Sequence, residues 1–160
     1  MQYAILAVVL IGLDQLVKAL IRTKIPLFGT AAFLPGVLDL TNYFNTGAGF
    51  SILEGHTWFL TLISAVLSIL LILALLKNFF RHPFGKTSLA LVLAGAVGNL
   101  FDRALFGGVT DMFRTLFVRF PVFNVADICV TLGGIGAMIY YLFLYDKLEE
   151  NKHDRPDADS

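Results

Sequence analysis

The chain has 160 residues, of which 57% are hydrophobic and 15% are charged. A soluble domain is usually about 45–50% apolar and about 25% charged, so this composition excludes an ordinary soluble protein and indicates several membrane spans. The formal net charge is zero, which gives no reason to expect a nucleic-acid partner, and the single cysteine, Cys129, excludes an intrachain disulfide.

Four apolar segments are long enough to cross a bilayer as helices. A transmembrane helix needs about 20 mostly apolar residues, because each residue adds about 1.5 Å of length. The first segment lacks the basic start of a cleavable signal peptide, so we interpret it as a retained span. We predict one membrane domain over residues 1–146 and a disordered cytoplasmic tail over 147–160. The predicted spans are about 2–21, 57–76, 87–106 and 127–145.

The loops between the spans predict the orientation of the chain and a second kind of structure. The link KNFFRHPFGK, at 77–86, is basic and contains no acid, and basic loops stay in the cytoplasm. We therefore expect both termini in the cytoplasm and the loops 22–56 and 107–126 outside. In these loops LDLTNYF alternates like a short strand, whereas VTDMF and FVRFPVF fit either short strands or an interfacial hairpin lying on the bilayer. The sequence thus predicts an all-α membrane protein of four transmembrane helices, with a small extended or β cradle on the outer face.

Polar residues from three predicted spans lie at one depth in the membrane. Asp14 and Lys18 are four residues apart, a spacing that fits either an internal ion pair or a role in shaping a site. With the termini inside, Asp14 and Asn99 both lie about 18 Å along their helices. Asp127 begins the last span at the outer boundary. The third span carries three polar residues on one face, namely Asn99, Asp102 and Arg103. This agreement in depth predicts a functional site.

Carboxylates are the best candidates for chemistry at this level. The histidines are loop or tail residues and neither HExxH nor GxSxG occurs, so we expect no metal, no cofactor and no serine nucleophile. Asp111 and Asp127 flank one reversing loop, and two close carboxylates share a proton and can activate water. The residues alone leave structural roles open. Asn124 and Asp127 resemble a capping box, and Asp111 fits an ordinary turn acid.

Five short segments combine these polar residues with glycines in a fixed order. They are DQLVK from Asp14, NTGAGFS from Asn45, GAVGNLFDR from Gly95, GGVTDMF from Gly107 and FNVAD from Phe123. In this order the segments resemble the bacterial lipoprotein signal peptidases, also called signal peptidase II. Each segment is weak alone, but together they are highly specific and span nearly the whole chain except the tail. The chain departs from the usual family pattern at Gly49, Arg114, Thr115, Ile128 and Cys129.

The resemblance implies an intramembrane aspartyl peptidase. Such an enzyme removes the signal peptide from diacylglyceryl-modified prolipoproteins and cuts just before the lipidated cysteine. The resemblance also implies a bacterial cytoplasmic (inner) membrane location, contact with membrane lipid and an active site toward the outer face, and we expect a monomer. By position, the catalytic pair corresponds to Asp111 and Asp127. The substrate-binding or site-supporting residues correspond to Asp14, Lys18, Asn45, Gly47, Asn99, Asp102, Arg103 and Asn124.

Two other functions are compatible with intramembrane charges. A small proton-coupled transporter would use Asp14 or Asp102 to bind and release protons, and a structural subunit would use charge pairs for assembly. A transporter should hold its essential carboxylate near the bilayer midplane. The acids of this chain are predicted to cluster near one face of the membrane, which favours the peptidase.

Overall fold

The computed structural model describes residues 1–47, 53 and 55–145, and it contains four long helices and a small antiparallel sheet. The predicted fold class is therefore confirmed. Each helix is long and apolar enough to cross a membrane. Gly49 and the predicted disordered tail at 147–160 lie outside the described residues. The helices are α1 (Gln2–Lys24), α2 (Thr57–Leu76), α3 (Pro83–Phe106) and α4 (Val125–Ile139), which continues as a π-helical turn over Tyr140–Leu144.

Helix α3 begins four residues earlier than the hydropathy pattern predicts. Pro83 occupies its first turn, where the missing N–H is not needed for helical hydrogen bonding. The His82 side chain precedes it as the N-cap, and its Nδ1 accepts a hydrogen bond from the backbone N of Phe84 at 3.2 Å. These polar and proline signals start the helix within the basic link, before the apolar run begins.

The sheet has the order β1-β2-β3, with strands Thr30–Leu34, Leu38–Asn45 and Val109–Thr115. The strands predicted in LDLTNYF and VTDMF are present as β2 and β3. The segment FVRFPVF is not a strand, since only an isolated bridge joins Phe123 to Phe113. Pro121 lies in this segment and has no N–H to donate to a ladder. Because β1 follows α1 and β3 follows α3, the sheet lies at the end of the bundle where those two helices end.

Helix α3 packs against each of the other three helices. Its glycines permit this close packing, since a Cβ on Gly95 would collide with the carbonyl oxygen of Ala126 in α4. In the opposite direction, a Cβ on Gly133 of α4 would lie 2.7 Å from the carbonyl oxygen of Ser88. Small residues therefore set the spacing of α3 and α4, and this spacing brings the start of α4 beside the polar face of α3.

The sheet is attached to α1 by an apolar cluster and a polar bond. Ile21 and Ile25, at the end of α1, pack with Met112 of β3, and all three are buried. The Asn42 side chain of β2 donates from Nδ2 to the carbonyl oxygen of Ile25 at 2.8 Å. Strand β3 is thereby fixed over the end of the helices, and Asp111 directly precedes Met112 in this strand.

Candidate active site

Asp111 lies in β3 and is 2% exposed. The register of the sheet pairs Tyr43 with Asp111 and Asn45 with Val109, so the Asn45 side chain of β2 reaches the carboxylate. Asn45 donates from Nδ2 to Asp111 Oδ2 at 2.9 Å, and Asn124 donates from Nδ2 to Asp111 Oδ1 at 2.6 Å. Both oxygens of this carboxyl group are therefore held by neutral amides.

Asp127 occupies the first turn of α4 and forms a capping box with Asn124. The Asn124 side chain accepts from the backbone N of Asp127 at 2.9 Å, and Asp127 Oδ2 accepts from the backbone N of Asn124 at 3.2 Å. The other carboxylate oxygen, Oδ1, accepts from Asn99 Nδ2 at 2.8 Å. The capping geometry that the sequence left open is present, and it directs the carboxylate toward the same asparagine that holds Asp111.

Burial, and after it the nearby Asp127 carboxylate, raise the pKa of Asp111 to about 7. Hydrogen bonds from Asn45 and Asn124, and the charge of Lys18, oppose this rise without cancelling it. A carboxyl group with this pKa is substantially protonated near neutral pH. The pair of acids can therefore hold one proton between them, as general acid–base chemistry requires.

A buried cluster of charges lies beneath the two acids. Lys18 Nζ is 2.8 Å from Asp14 Oδ2 and 3.5 Å from Asp102 Oδ2, and the three side chains are at most 1% exposed. Lys18 also donates to Asn99 Oδ1 at 3.0 Å. Asp14 Oδ1 accepts from the backbone N of Ala126 at 2.9 Å. Asp14 and Lys18 therefore form the ion pair that their spacing suggested, and both also contact the elements that carry the site.

Three further polar residues support Asp102, and the sequence interpretation did not assign them roles. Gln15 donates from Nε2 to Asp102 Oδ1 at 3.2 Å and to the carbonyl oxygen of Gly98 at 3.0 Å. The backbone N of Thr110 donates to Asp102 Oδ2 at 2.9 Å. Arg22 Nη1 lies 3.7 Å from the same oxygen. The available signal was the position of Gln15 beside Asp14, to which it donates at 3.2 Å, but its two other partners belong to another helix and cannot be found by local spacing.

Arg103 extends from α3 toward the loop that follows β2. Its Nη2 donates to the carbonyl oxygen of Gly47 and its Nη1 donates to Ser64 Oγ, both at the long distance of 3.4 Å. Its Nε is buried and has no hydrogen-bond partner among the described residues. Gly47 in turn donates from its backbone N to Asn45 Oδ1 at 2.9 Å, which orients the amide that holds Asp111.

A cavity of about 350 Å³ opens beside the two carboxyl groups. Its wall combines the polar residues of the site with apolar residues from the segment before α4 and from the first turns of α4. Of the predicted site residues, Asn45, Asn99, Arg103, Asp111, Asn124 and Asp127 line the cavity, while Asp14, Lys18 and Asp102 lie behind them. The lining residues are Asn45, Asn99, Arg103, Val109, Asp111, Phe120, Pro121, Val122, Phe123, Asn124, Asp127, Ile128, Thr131 and Leu132.

A family model and several bacterial proteins match almost the whole chain. A family model described as signal peptidase (SPase) II matches residues 6–143. The lipoprotein signal peptidase of Enterococcus faecalis is 40% identical over 151 residues, which cover 94% of each chain. The lipoprotein signal peptidase of Lactiplantibacillus plantarum is 42% identical over 139 residues, which cover 86% of this chain and 91% of its own.

Two solved structures, each described as a bacterial membrane enzyme, share the fold. One, at 2.3 Å resolution, superposes with a TM-score of 0.83 at 32% identity and covers 98% of this chain and 94% of its own. The other, at 1.9 Å resolution, has a TM-score of 0.81 at 33% identity and covers 90% of this chain and 95% of its own. The family model spans most of the sequence and the relatives exceed 30% identity over nearly full length, so the chain belongs to the signal peptidase II family of membrane proteases.

Proposed function

We propose that the protein removes the signal peptide from diacylglyceryl-modified prolipoproteins, with Asp111 and Asp127 as its catalytic pair. The observation that carries this assignment is the meeting of two carboxyl groups, the buried Asp111 of β3 and the half-buried Asp127 of α4, on either side of Asn124 at one cavity. A pair of acids that shares one proton can act as base and acid in the same turnover. Family membership supplies the substrate class, since the curated relatives are named lipoprotein signal peptidases.

In this mechanism the ionised carboxylate accepts one proton from a water molecule, and the water oxygen bonds to the carbonyl carbon before the lipidated cysteine. The protonated carboxyl group donates a hydrogen bond to the carbonyl oxygen as negative charge develops there. When the C–N bond breaks, that proton passes to the leaving nitrogen. The pair ends the cycle with one proton, as it began, and the reaction needs no covalent acyl-enzyme.

The setting of the cavity suits a substrate that is partly in lipid. Four helices able to cross a bilayer carry the site at one end, and the cavity wall beside the acids contains Phe120, Pro121 and Leu132. Acyl chains can remain in the membrane while the scissile bond reaches the polar end of the cavity. We assign the protein to the bacterial cytoplasmic (inner) membrane as a lipid-embedded monomer, with cytoplasmic termini and the active site toward the outer face. The basic link at 77–86 supports this orientation.

Isosteric variants test the catalytic pair. Asp111→Asn and Asp127→Asn should each abolish release of the signal peptide from a purified diacylated prolipoprotein, measured by mass spectrometry, because shape is kept while proton transfer is lost. Loss of acid–base catalysis alone is expected to cost about 10²–10⁴-fold in rate. Arg114→Lys, in the surface ion pair with Asp39, serves as the control and should cleave like the wild type.

The folded amount and the binding of a non-cleavable substrate peptide should be nearly the same in both asparagine variants as in the wild type. Substantial cleavage by either variant at equal folded concentration would show that the two acids are not the catalytic pair.

A further inference from the structure

Lys18 fixes the orientation of one amide group next to the candidate catalytic pair. Its ammonium group can only donate hydrogen bonds, and one of its contacts is Asn99 at 3.0 Å. Asn99 must therefore present its carbonyl oxygen, Oδ1, to Lys18. Lys18 is fully buried, so no water replaces this contact in the folded protein.

The remaining atoms of the Asn99 amide have only one consistent arrangement. Oδ1 also accepts from Asn124 Nδ2 at 3.2 Å, while Nδ2 of Asn99 donates to Asp127 Oδ1 at 2.8 Å. A flipped amide would place an NH₂ group against two donors and an oxygen against the carboxylate of Asp127. Three hydrogen bonds would be lost at once, so the ammonium group decides which atom of Asn99 faces Asp127.

The two acids consequently have different surroundings. Asp127 lies in the first turn of α4, where the helix dipole favours negative charge, and it accepts from a backbone N–H and from the amide that Lys18 orients. Asp111 lies on a strand, and both of its oxygens accept from neutral side-chain amides. The environment of Asp127 is thus the better match to the ionised form.

Other charged groups around Asp127 come from three elements. Asp111 faces it from β3 and disfavours its charge, whereas Arg103 of α3 favours it through space without a hydrogen bond among the described contacts. From α1, Asp14 is paired with Lys18 at 2.8 Å, so its charge is largely compensated. Asn99 is therefore the group that connects a buried cation to Asp127 through hydrogen bonds.

We propose that Lys18 is a positioning residue that acts through Asn99 to keep Asp127 ionised as the general base, which leaves the shared proton on Asp111. This inference rests on the proposed function, because it assigns the two roles within the same pair. It predicts that loss of Lys18 makes ionisation of Asp127 harder. The acid limb of the pH profile of kcat/KM, which reports the base of the free enzyme, should then move to higher pH.

A double-mutant cycle in the Asp14→Asn background provides the test. This background removes the acid that Lys18 pairs with, so that Lys18→Met does not leave Asp14 as an unpaired buried charge. Asp102 retains Gln15, Thr110 and Arg22 as partners. The cycle compares Asp14→Asn with the variants that add Lys18→Met, Asn99→Ala or both, and thermal midpoints in detergent establish the folded fraction of each.

We expect Lys18→Met and Asn99→Ala each to move the acid limb upward by about one pH unit, and the combination to move it no further, because both act on one hydrogen-bonded path. Additive shifts would show that Lys18 acts directly by its charge and would overturn the proposal. An unmoved limb would also overturn it, even if stability falls. If Asp127→Asn is inactive in the same assay, such a failure leaves the catalytic pair intact, whereas an active Asp127→Asn would refute the pair itself.

Discussion

At the scale of single residues, Asn124 connects the two acids with one side chain. It donates to Asp111 Oδ1 at 2.6 Å and accepts from the backbone N of Asp127 at 2.9 Å. A neutral amide thus links the carboxyl group of Asp111 to the backbone of Asp127 without adding a charge that would favour ionisation of both acids. The three-residue spacing predicted the cap on Asp127. The contact with Asp111 joins a helix to a strand, and no local pattern reveals it.

The raised pKa of Asp111 predicts a stability effect with a defined sign. An unfolded aspartate has a pKa near 3.9, whereas burial raises that of Asp111 to about 7. The folded wild type therefore loses stability as pH rises between these values, because the unfolded chain releases the proton of this carboxyl group while the folded chain still holds it. Asp111→Asn avoids this loss, so its thermal midpoint relative to the wild type should increase between about pH 5 and about pH 8.

Comparison across pH removes the constant cost of changing one hydrogen bond, since that cost is present at every pH. Asp39→Asn is the matched control, because it is the same substitution in the neighbouring strand, at an ion pair with Arg114. The control should not gain stability relative to the wild type as pH rises. A midpoint difference for Asp111→Asn that is constant or falls with pH would contradict the raised pKa.

At the scale of elements, small residues decide how the helices meet. Cys129, Gly133 and Ala137 lie four residues apart in the sequence and form a row of small residues, a pattern that permits close helix contact. The structure places Gly133 against the backbone of α3, with a hypothetical Cβ 2.7 Å from Ser88 O and 2.7 Å from Val92 N. The pattern identified the face but not the partner helix, because hydropathy does not encode which neighbour a face meets.

Adjacent glycines in α4 allow a matched test of this packing. Gly133→Ala should lower the thermal midpoint in detergent, because its Cβ meets backbone atoms that cannot move aside, at a cost of about 1–3 kcal/mol. Gly134→Ala has nothing within 4 Å of its Cβ and should be neutral or stabilising by up to about 1 kcal/mol, since alanine favours helix. Equal midpoints for the two variants would refute the close contact.

The strand that sequence analysis missed is the one with the weakest signal. All five residues of β1, Thr30–Leu34, are exposed, so the segment TAAFL shows no alternation between buried and exposed positions. Strand β2 has the buried residues Thr41 and Asn42, and β3 begins with four buried residues. An edge strand with no buried face depends on pairing with its neighbour, and pairing is a tertiary property.

At the scale of the whole molecule, the bilayer makes the number of spans predictable and the packing unpredictable. A fixed hydrocarbon thickness requires helices of a minimum length, which hydropathy detects directly. The sequence predicts that Asp14 and Asn99 lie at the same depth along their helices. In the structure both side chains contact Lys18. The rotation of each helix about its axis depends on contacts such as Gly95 with Ala126, which emerge only after folding.

The orientation of the whole chain is open to a labelling experiment. In a Cys129→Ala background, Thr115→Cys should react with a membrane-impermeant thiol reagent applied outside intact cells. Ser160→Cys, at the C-terminus beyond the described residues, should react only after the membrane is opened. The basic link at 77–86 is the physical reason, because Lys and Arg are retained on the cytoplasmic side. Labelling of both positions from the same side would contradict this topology.

The unmatched donor of Arg103 has a consequence for inhibitor chemistry. Its Nε is buried without a partner among the described residues, and the bonds from Nη1 and Nη2 are both 3.4 Å long. A buried donor left unpaired costs about 1–3 kcal/mol. A ligand that brings a carbonyl or phosphoryl oxygen to Nε would recover part of this energy without competing with an acceptor among the described residues. Resistance at that contact would require a change of Arg103, which lines the same cavity as the two acids.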